Sequence, residues 1–575
     1  MRAFSAPEPT LAGASRSASR LSWLAIALSG LMVVCTIVGI ARAYSPVPYW
    51  DMWDGYVGFY LRTASQGWRA WIEPHNEHRL VLSRLFFYAD IAWLGGRGLL
   101  PLCVNVLITA GIATLLCRAA TTTGISLAVA SMRAIYAVIV GVTFFWSQRE
   151  NFTWAFQTQF FLAQLLPLLA FCLAAQATGS PRRVLLAGCA TGCGMLALGA
   201  MANGILALPI LLVLGMCLDL GRRWVIATAA ITLAAILLVR YAFHDAQVPT
   251  PAFSVLVERP LDVAHFLFRY LGSPIFFAFK NASWASGIVE ASGALLLMGA
   301  LCCLPAAWRD RSRLPLRLAM LATIAYVAAS ALGTAIGRLP LPAGLEGAFV
   351  SRYTGLALTA WLALLIAWLP ALRPVRPSVV IVALIALLIG LMPWQLRATR
   401  AQTNVVYARE LAALALAAQF DDPAAIAAVY PEPAAATAMR FAAEARRAGV
   451  PAFGRPAIAS APGWLGLSVT HAVCQAGVET GEALSSTPAD YRIAGHLQQP
   501  LDQSTDVPAL VLDEHDTIVG WVLLGPEASR TRENTVGRRR FSGYVRDARP
   551  DVARSHTPSL RICQTPAGAP FAFSE

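Results

Sequence analysis

The chain has 575 residues, of which 57% are hydrophobic and only 13% are charged, and its formal net charge is +13. This composition excludes a soluble globular protein and indicates a polytopic membrane protein. The positive charge would suggest nucleic acid as the partner of a soluble chain, but the arginines here stand in short loops between apolar segments, where they orient a membrane protein. We therefore exclude nucleic acid as a partner.

The first apolar segment, residues 21–40, is long enough to span a membrane. It follows an arginine-containing tail, residues 1–20, which we expect to be cytoplasmic. Ala41-Arg42-Ala43 imitates a signal-peptidase site. The apolar run, however, is longer than the roughly 7 to 15 residues typical of a cleaved signal. The segment is therefore predicted to be a retained transmembrane helix.

Residues 43–98 are predicted to form a long first periplasmic loop. Its segment 80–96 contains Arg84 and Asp90, which a lipid-facing helix should not carry, so we interpret it as an amphipathic helix on the outer face of the membrane. The alternative is a true span whose Arg84 and Asp90 face the interior of the bundle. A second interfacial helix before it would carry an aromatic stripe of Tyr56, Phe59, Tyr60, Trp68 and Trp71.

Apolar segments of span length recur as far as residue 395. Loops between alternate spans carry arginines, for example Arg182 with Arg183 and Arg222 with Arg223, which indicates that these loops are cytoplasmic. Lys280 is the only lysine, a bias that is typical of GC-rich bacterial genomes. The sequence thus predicts an α-helical transmembrane domain over 21–395 in a bacterial inner membrane. Eleven spans are predicted, at 21–40, 99–117, 134–147, 159–178, 184–200, 203–219, 224–242, 285–304, 316–337, 353–371 and 377–395.

Residues 396–575 are less hydrophobic and are predicted to form a soluble domain, α/β or β-rich, which the odd number of spans places in the periplasm. A helix is predicted over 401–420, and the apolar runs 509–512 and 517–524 are typical of a β-hairpin. Cys474 and Cys563 are the only two cysteines of this domain. In an oxidising compartment they could form a disulfide, and the alternative is two buried free thiols.

The first periplasmic loop contains two groups of polar residues. Asp51 and Asp54 lie among tryptophans, which would lower the local dielectric and favour a general base. The second group, His75-Asn76-Glu77-His78-Arg79, is a candidate substrate-binding segment. A helical turn could bring His75 and His78 to one cation, so a divalent metal is possible. The alternative is an interfacial loop whose charges are merely solvated.

Two later loops add further candidates. One outward loop is rich in amides and aromatics, the side chains that bind a sugar ring, and contains Gln148, Glu150 and Gln157. Glu150 could act there as a second acid. The alternative is that this loop is an interfacial cap on two helices. Arg338 and Arg352, followed by Tyr353, stand at the outer ends of adjacent helices and suit a lipid-linked phosphate, because guanidinium groups pair bidentately with phosphate oxygens. Either arginine could instead anchor at headgroup level. Asn203 is a polar break between two apolar spans that could face the same cavity.

With these residues the chain resembles the GT-C superfamily of multispan glycosyltransferases, such as protein O-mannosyltransferases and the aminoarabinose transferases of lipid A. The resemblance covers residues 21–395 and rests on the acidic motif in the first outward loop, on the interfacial helices and on the eleven spans with an outer C-terminal domain. It implies a polyprenyl-phosphate-linked sugar donor, with Asp51 as the base and Asp54 in support. The acids are three residues apart rather than the usual two, so the family's metal role does not transfer directly.

Two other classes remain open. A transporter or flippase of lipid-linked saccharides would need similar outward loops, but the sequence shows neither ionisable groups at mid-span nor broken helices in repeated halves, which transporters tend to have. A non-catalytic envelope assembly protein is the third class. The sequence therefore favours a glycosyltransferase, and it leaves the sugar, the acceptor and the oligomeric state undetermined.

Overall fold

A computed structural model describes residues 11–242, 252–279, 285–431, 435–469, 473–476, 480–484, 490–497, 507–526, 539–546 and 560–564. Residues 1–10 of the predicted tail lie outside this part of the chain, and residues 11–20 already belong to the first helix, Leu11–Ala43.

Helices make up most of the chain up to residue 460. Helices α1 to α17 are, in chain order, Leu11–Ala43, Phe59–Gln66, Arg69–Ile72, Val81–Leu94, Leu99–Thr123, Val129–Thr143, Arg149–Thr153, Thr158–Ala177, Arg183–Ala197, Ala207–Cys217, Arg222–Ala242, Ala252–Glu258, Pro260–Phe279, Ala285–Arg309, Leu316–Arg338, Thr354–Trp368 and Pro377–Gln395. Helices α18 to α21 are Thr403–Ala418, Pro423–Ile426, Ala435–Arg447 and Pro456–Ser460.

Nine segments among the described residues are long and apolar enough to cross a membrane, which is consistent with a polytopic membrane protein. They are Ser17–Ala43, Leu99–Thr123, Val129–Thr153, Ala155–Ala177, Arg222–Tyr241, Ala285–Arg309, Leu316–Arg338, Ser351–Leu372 and Pro377–Thr399. The other two predicted spans correspond to shorter apolar helices, Arg183–Ala197 and Ala202–Cys217. The count of eleven is therefore not confirmed. Nine and eleven are both odd, so the predicted side of the C-terminal domain is the same whether this short pair crosses the membrane or re-enters it.

One long helix was not predicted as an element. Helix α13 contains Asp262, His265 and Arg269, which lower its hydropathy. It packs closely on α14: a Cβ on Gly272 would overlap the main-chain oxygen of Val289, so only glycine permits this approach.

Contacts divide the chain into two compact units. Unit 1 comprises Met1–Ala41, Ile72–Ser83 and Leu102–Arg400, and unit 2 comprises Arg42–Trp71, Arg84–Pro101 and Ala401–Glu575. The predicted boundary at 395 lies close to the end of unit 1. The predicted first loop, 43–98, is shared between both units, and most of it clusters with the C-terminal residues.

The helices of unit 1 are joined by buried polar contacts as well as by apolar packing. Gln395 donates from Nε2 to the main-chain oxygen of Met32 (2.7 Å), while its Oε1 accepts from the main-chain N–H of Trp146 (2.8 Å). Thr36 donates to the main-chain oxygen of Phe144 (2.6 Å). Since an unpaired polar group in a membrane interior is costly, these bonds fix the first, the third and the last predicted spans against one another.

The helical part of unit 2 buries the charges that the sequence analysis expected at an interface. Arg84 and Asp90 on α4 are fully buried. Asp90 accepts hydrogen bonds from Tyr56 Oη (2.5 Å) and from the main-chain N–H of Gly98 (2.7 Å), and Arg84 lies 5.0 Å over the ring of Phe59. Both charges face the interior, as the alternative interpretation of this segment expected, and hydrogen bonds to Asp90 and from Arg84 to the main-chain oxygen of Trp71 (3.0 Å) replace water around them. With 14 residues, α4 is also too short to span a bilayer.

In the remainder of unit 2, the described residues form an antiparallel sheet of seven strands. Its strands β1 to β7 are Cys474–Ala476, Thr480–Ala483, Asp490–Leu497, Ala509–Leu512, Ile518–Leu524, Arg539–Arg546 and Arg561–Cys563, in the spatial order β1-β7-β4-β5-β6-β3-β2. The predicted hairpin is β4 with β5, and the predicted helix is α18. Cys474 and Cys563 face each other across β1 and β7 and form a disulfide, so the predicted bridge is confirmed.

Candidate functional site

The segment 75–78 forms a tight two-residue turn. The main-chain N–H of His75 donates to the oxygen of His78 (2.8 Å), and the N–H of His78 donates to the oxygen of His75 (2.9 Å). Asn76 occupies the left-handed region at φ 51°, which asparagine tolerates better than most residues. The segment is therefore not the helical turn that the two-histidine metal hypothesis requires.

This turn borders a cavity of about 300 Å³ in unit 1. The cavity lies within the size range of small-molecule sites, and its mixture of apolar walls and a few polar groups is typical of them. Its polar side chains come from segments far apart in the sequence, and they are Glu77, His78, Asn203, Ser330, Thr334 and Arg338. Its apolar and aromatic walls are Phe160, Met201, Ile205, Leu206, Tyr270, Tyr353 and Leu356.

A break between two short helices supplies one wall of the cavity. Helix α9 ends at Ala197, and a 3₁₀ turn over Ala202–Leu206 precedes α10. Gly204 lets this turn approach the end of α9, because a Cβ there would overlap the main-chain oxygen of Ala197. Asn203 donates from Nδ2 to Ser330 Oγ (3.2 Å), while its Oδ1 is buried and has no hydrogen-bond partner among the described residues. This amide oxygen is available to a donor group of a ligand.

Arg338 is the principal cation of the cavity. It closes α15, and among the residues that the structure describes its guanidinium has no hydrogen bond or ion pair. The carboxylate of Glu77 lines the same cavity and interacts electrostatically with Arg338, but the two groups form no direct ion pair in the described structure. A guanidinium in this position has the chemistry to bind an anion.

His78 is a titratable group of the same cavity. Burial lowers the pKa of His78 below its usual value, and the charges of His75, Arg338 and Arg352 lower it further, against the opposing effect of Glu77. Its Nδ1 accepts from the N–H of Ala202 (3.4 Å), so the proton of the neutral ring lies on Nε2, which is 3.5 Å from Glu77 Oε1. At neutral pH the imidazole is therefore uncharged, and its one lone pair, on Nδ1, already accepts the Ala202 N–H.

Glu77 keeps its negative charge beside this imidazole. Burial acts to raise the pKa of Glu77, but His78, a main-chain hydrogen bond and the charge of Arg338 together lower it below its usual value. A carboxylate that stays ionised can orient the neutral His78 and stabilise its protonated form. The pair has the carboxylate and the imidazole of a general base, but the ring can accept a proton only on Nδ1, after the Ala202 N–H is displaced.

Arg352 lies outside the cavity lining. Its guanidinium pairs with Glu150 (Nη1 to Oε2, 3.3 Å), and its main-chain oxygen accepts from Asn151 Nδ2 (2.9 Å). Tyr353 does line the cavity and stacks on Tyr270, with ring centroids 5.2 Å apart. The two predicted phosphate-binding arginines thus have different surroundings, and only Arg338 opens onto the cavity.

Asp51 and Asp54 belong to unit 2. Asp54 lies in a π-helix over Trp53–Gly58 and pairs with Arg62 (2.9 Å). Burial raises the pKa of Tyr430, and the charges of Asp51 and Asp54 raise it further, so both acids lie near this phenol. Such π-helical turns occur frequently at functional sites. The flanking tryptophans differ: Trp53 is fully buried, whereas Trp50 is 37% exposed.

The remaining predicted residues do not line the cavity. His75 is buried with its ring 5.2 Å from that of Phe156, Asn76 is exposed, and Arg79 donates to the main-chain oxygen of Ile72 (2.6 Å). Gln148 and Gln157 are buried, and Gln148 donates to the main-chain oxygen of Thr143 (2.7 Å). These two amides sit inside the helical packing of unit 1.

No group of three or more histidine, cysteine, aspartate or glutamate side chains could hold a metal ion among the described residues. The weak candidates His75 and His78 therefore do not form part of such a cluster.

Sequence reasoning missed several residues of the cavity. Ser330 and Thr334 lie four residues apart on α15 and face the cavity together, and Tyr270 comes from the unpredicted helix α13. The spacing of Ser330, Thr334 and Arg338, each one helical turn apart, was the signal that could have found them.

Comparison of the chain with models of protein families, with curated proteins and with solved structures finds no match in any of the three.

Proposed function

We propose that this protein is an integral membrane glycosyltransferase that moves a sugar from a polyprenyl-phosphate carrier to a glycan, lipid or protein acceptor of the cell envelope, on the periplasmic face of a bacterial inner membrane. The observation that carries the proposal is Arg338, whose guanidinium has no hydrogen-bond or ion-pair partner in the described part of the chain, in a cavity whose walls are largely aromatic and apolar. A guanidinium beside stacked rings suits a ligand that joins a phosphate to a sugar.

Each part of such a donor has a matching group. Arg338 suits the phosphate, since charge-assisted hydrogen bonds from arginine to phosphate are strong and geometrically specific. Tyr270 and Tyr353 are stacked on each other in the cavity wall and give it an aromatic surface that suits the apolar side of a sugar. Asn203 and Ser330 offer an amide and a hydroxyl for its hydroxyl groups.

A second cavity in unit 1, of about 670 Å³, supports a lipid carrier. Its lining is almost entirely apolar and comes mainly from α6, α13, α16 and α17, with residues such as Val142, Ile275, Trp361 and Leu387. An apolar cavity of this size between helices suits the hydrocarbon chain of a lipid carrier. It supports the assignment of a lipid-linked donor over a soluble nucleotide sugar.

The proposed chemistry is inverting attack of an acceptor hydroxyl on the anomeric carbon of the donor, with polyprenyl phosphate as the leaving group. A general base removes the proton of the acceptor hydroxyl as the new glycosidic bond forms. We assign this role to Asp51, supported by Asp54, following the resemblance of the first loop.

The test uses the full chain reconstituted in liposomes with polyprenyl-phosphate-linked hexoses and pentoses, and it measures the release of polyprenyl phosphate. We expect release with at least one donor, and a loss of at least about tenfold in Arg338→Ala, since hydrogen bonds to charged groups contribute roughly 1.5 to 3 kcal/mol. Arg149→Ala is the matched control, because Arg149 is exposed and lies outside the cavity lining. Equal release by Arg338→Ala and the wild type would contradict the proposal.

A transporter of lipid-linked saccharides is the second candidate, and one observation favours it. Helices α9 and α10 are short, and the break between them lines the cavity, as the broken helices of transporters line their sites. This break was not predicted from the sequence, and it removes one of the two reasons for preferring a glycosyltransferase to a transporter. Movement of intact donor across the same liposomes, without release of polyprenyl phosphate, would establish transport instead.

A further inference from the structure

Three loops of unit 1 meet in a pocket of about 330 Å³ on the arginine-rich side of the helices. They join α8 to α9, α10 to α11, and α14 to α15. The lining consists of Thr178, Gly179, Arg183, Cys217, Leu218, Asp219, Arg311 and Ser312. The sequence shows three separate arginine-containing loops, and only the folded chain brings them together. We call this site the arginine pocket.

The main chain around the arginine pocket is tightly turned. Gly179 and Asp219 both lie in the left-handed region, at φ 71° and 52°. The Arg183 guanidinium donates to the main-chain oxygen of Asp219, which ties the first loop to the second. In the third loop, Arg311 donates to the main-chain oxygen of Trp308 (3.2 Å) and lies 4.6 Å over its ring. The two cations that line the pocket are therefore held in place by the fold.

The charge around the arginine pocket is strongly positive. Residues 178–183, 217–223 and 309–313 contain seven arginines and two acids. One of these acids, Asp310, is paired with Arg317 (2.5 Å). Asp219 is the acid that lines the pocket, so positive charge exceeds negative charge there. The buried hydroxyl of Thr178, which has no hydrogen-bond partner among the described residues, adds a neutral donor.

The position of the arginine pocket decides between classes of anion. Its loops follow directly on the apolar helices α8, α10 and α14, so the pocket lies where such helices leave hydrocarbon and meet headgroups. Leu218 and Cys217 give it an apolar side. Basic pockets between transmembrane helices on the cytoplasmic side suit anionic lipid headgroups.

We propose that the arginine pocket binds the phosphodiester headgroup of an anionic phospholipid from the leaflet on the arginine-rich side. Arg183 and Arg311 pair with the phosphate oxygens, Thr178 donates a hydrogen bond, and Asp219 limits the affinity through repulsion. The inference is independent of the proposed glycosyl transfer, since none of these residues lines the Arg338 cavity.

The experiment measures binding of phosphatidylglycerol to the purified full chain in phosphatidylcholine nanodiscs, by thermal stabilisation at increasing phosphatidylglycerol content. We expect Arg311→Ala to weaken the apparent affinity about five- to tenfold, as a partly exposed charged hydrogen bond allows. Arg183→Ala should act similarly, but it also loosens the Asp219 loop, so Arg311→Ala is the decisive variant. Asp219→Asn should bind more tightly than the wild type.

Arg373→Ala is the matched control, because Arg373 is an exposed arginine of another loop on the same side. An equal loss in Arg373→Ala and Arg311→Ala would overturn the proposal, since only diffuse attraction to the membrane surface would then act. Unchanged affinity in Arg311→Ala would do the same. Inorganic phosphate is the second probe: if it displaces the lipid at millimolar concentration and stabilises the protein alone, the lipid assignment is wrong and the pocket takes soluble phosphate.

Discussion

Arg352 and Glu150 form an ion pair of 3.3 Å although 202 residues separate them in the sequence. Two more bonds join the same segments, from Asn151 Nδ2 to the Arg352 main-chain oxygen and from the Glu150 N–H to Ser351 Oγ. Glu150 was predicted as a second catalytic acid, and the pair gives it an alternative structural role.

Glu150→Gln separates these roles. As a partner of Arg352 in a partly exposed pair, Glu150 should contribute no more than about 1 kcal/mol to the free energy of unfolding. As a general acid or base it should contribute roughly 10²- to 10⁴-fold to turnover. We expect a small loss in thermal stability and a loss of less than tenfold in donor turnover, with Arg352→Gln as the matched variant. A loss above a hundredfold in Glu150→Gln alone would show that the carboxylate is catalytic.

Arg338 and Arg352 should differ in their effect on donor affinity. Arg338→Ala should weaken binding of a polyprenyl-phosphate sugar by at least about tenfold, whereas Arg352→Ala should have a smaller effect, since its charge is already paired. Arg338→Lys should recover only part of the affinity, because lysine keeps the charge but loses the bidentate geometry. Equilibrium binding of the donor to each variant in detergent measures these affinities. Unchanged affinity in both alanine variants would rule out the phosphate site.

His78 should make anion binding depend on pH. Its pKa is lowered in the free protein by burial and by neighbouring cations, and a bound anion would raise it again. Binding therefore takes up a proton between the two pKa values, and the affinity for the donor should rise as the pH falls through that interval. Calorimetry in two buffers of different ionisation enthalpy measures the uptake. His78→Asn should abolish the proton uptake, and an unchanged uptake in this variant would assign it to another group.

The lowered pKa of His78 also affects the stability of the ligand-free protein, and there a fall in pH is unfavourable. A histidine whose pKa is lower in the folded state binds its proton more readily when unfolded. Acidification from above the unfolded pKa to below the folded pKa therefore destabilises the wild type. His78→Asn should lose this acid sensitivity in thermal unfolding of the ligand-free protein.

Asp51→Asn should reduce transfer by roughly 10²- to 10⁴-fold while sparing the fold, if Asp51 is the general base. Asp54→Asn is the matched variant; it removes one charge of the 2.9 Å pair with Arg62 and should have the smaller effect on turnover. Retention of more than about a tenth of wild-type transfer by Asp51→Asn would exclude the base role. In that case the transfer rate of His78→Asn should be measured next, to test His78 as the general base.

The disulfide between Cys474 and Cys563 tests the predicted topology. The two cysteines are 89 residues apart, and the chain-entropy account assigns about 4 kcal/mol to a loop of this size. We expect a marked loss of thermal stability in the double serine variant and no thiol labelling of these residues in the oxidised protein. A phosphatase fused after Glu575 should be active. An inactive phosphatase together with an active cytoplasmic reporter at the same site would place this domain in the cytoplasm.

Much of the helical architecture could be predicted from local sequence. A long apolar run must satisfy its own main-chain hydrogen bonds in a membrane, and this restricts it to a helix. The eleven predicted segments all coincide with helices, although two are shorter than a bilayer requires. The β4–β5 hairpin was likewise predictable, since alternation and turn residues act within a few positions.

For helices that mix apolar and charged residues, burial or exposure depends on packing partners that the sequence does not reveal. Helix α13 was missed because its charges lower its hydropathy, yet in the structure Arg269 pairs with Glu290 (2.6 Å) and Glu346 (3.0 Å). Asp90 lies on α4, which was predicted to be an amphipathic helix on the outer face of the membrane, yet it is fully buried and accepts internal hydrogen bonds. A charge is solvated or buried according to what packs against it, and that packing depends on residues far away in the chain.

The sequence by itself determined the apolar helices, the β hairpin and the types of residue that could bind an anion or a sugar. Only the tertiary structure decided which of them meet: it brings Glu77, Asn203 and Arg338 to one cavity and pairs Arg352 with Glu150. The physical reason is that periodicity and hydropathy act over one or two turns of chain, whereas a site forms from side chains that helix packing brings together across the whole bundle.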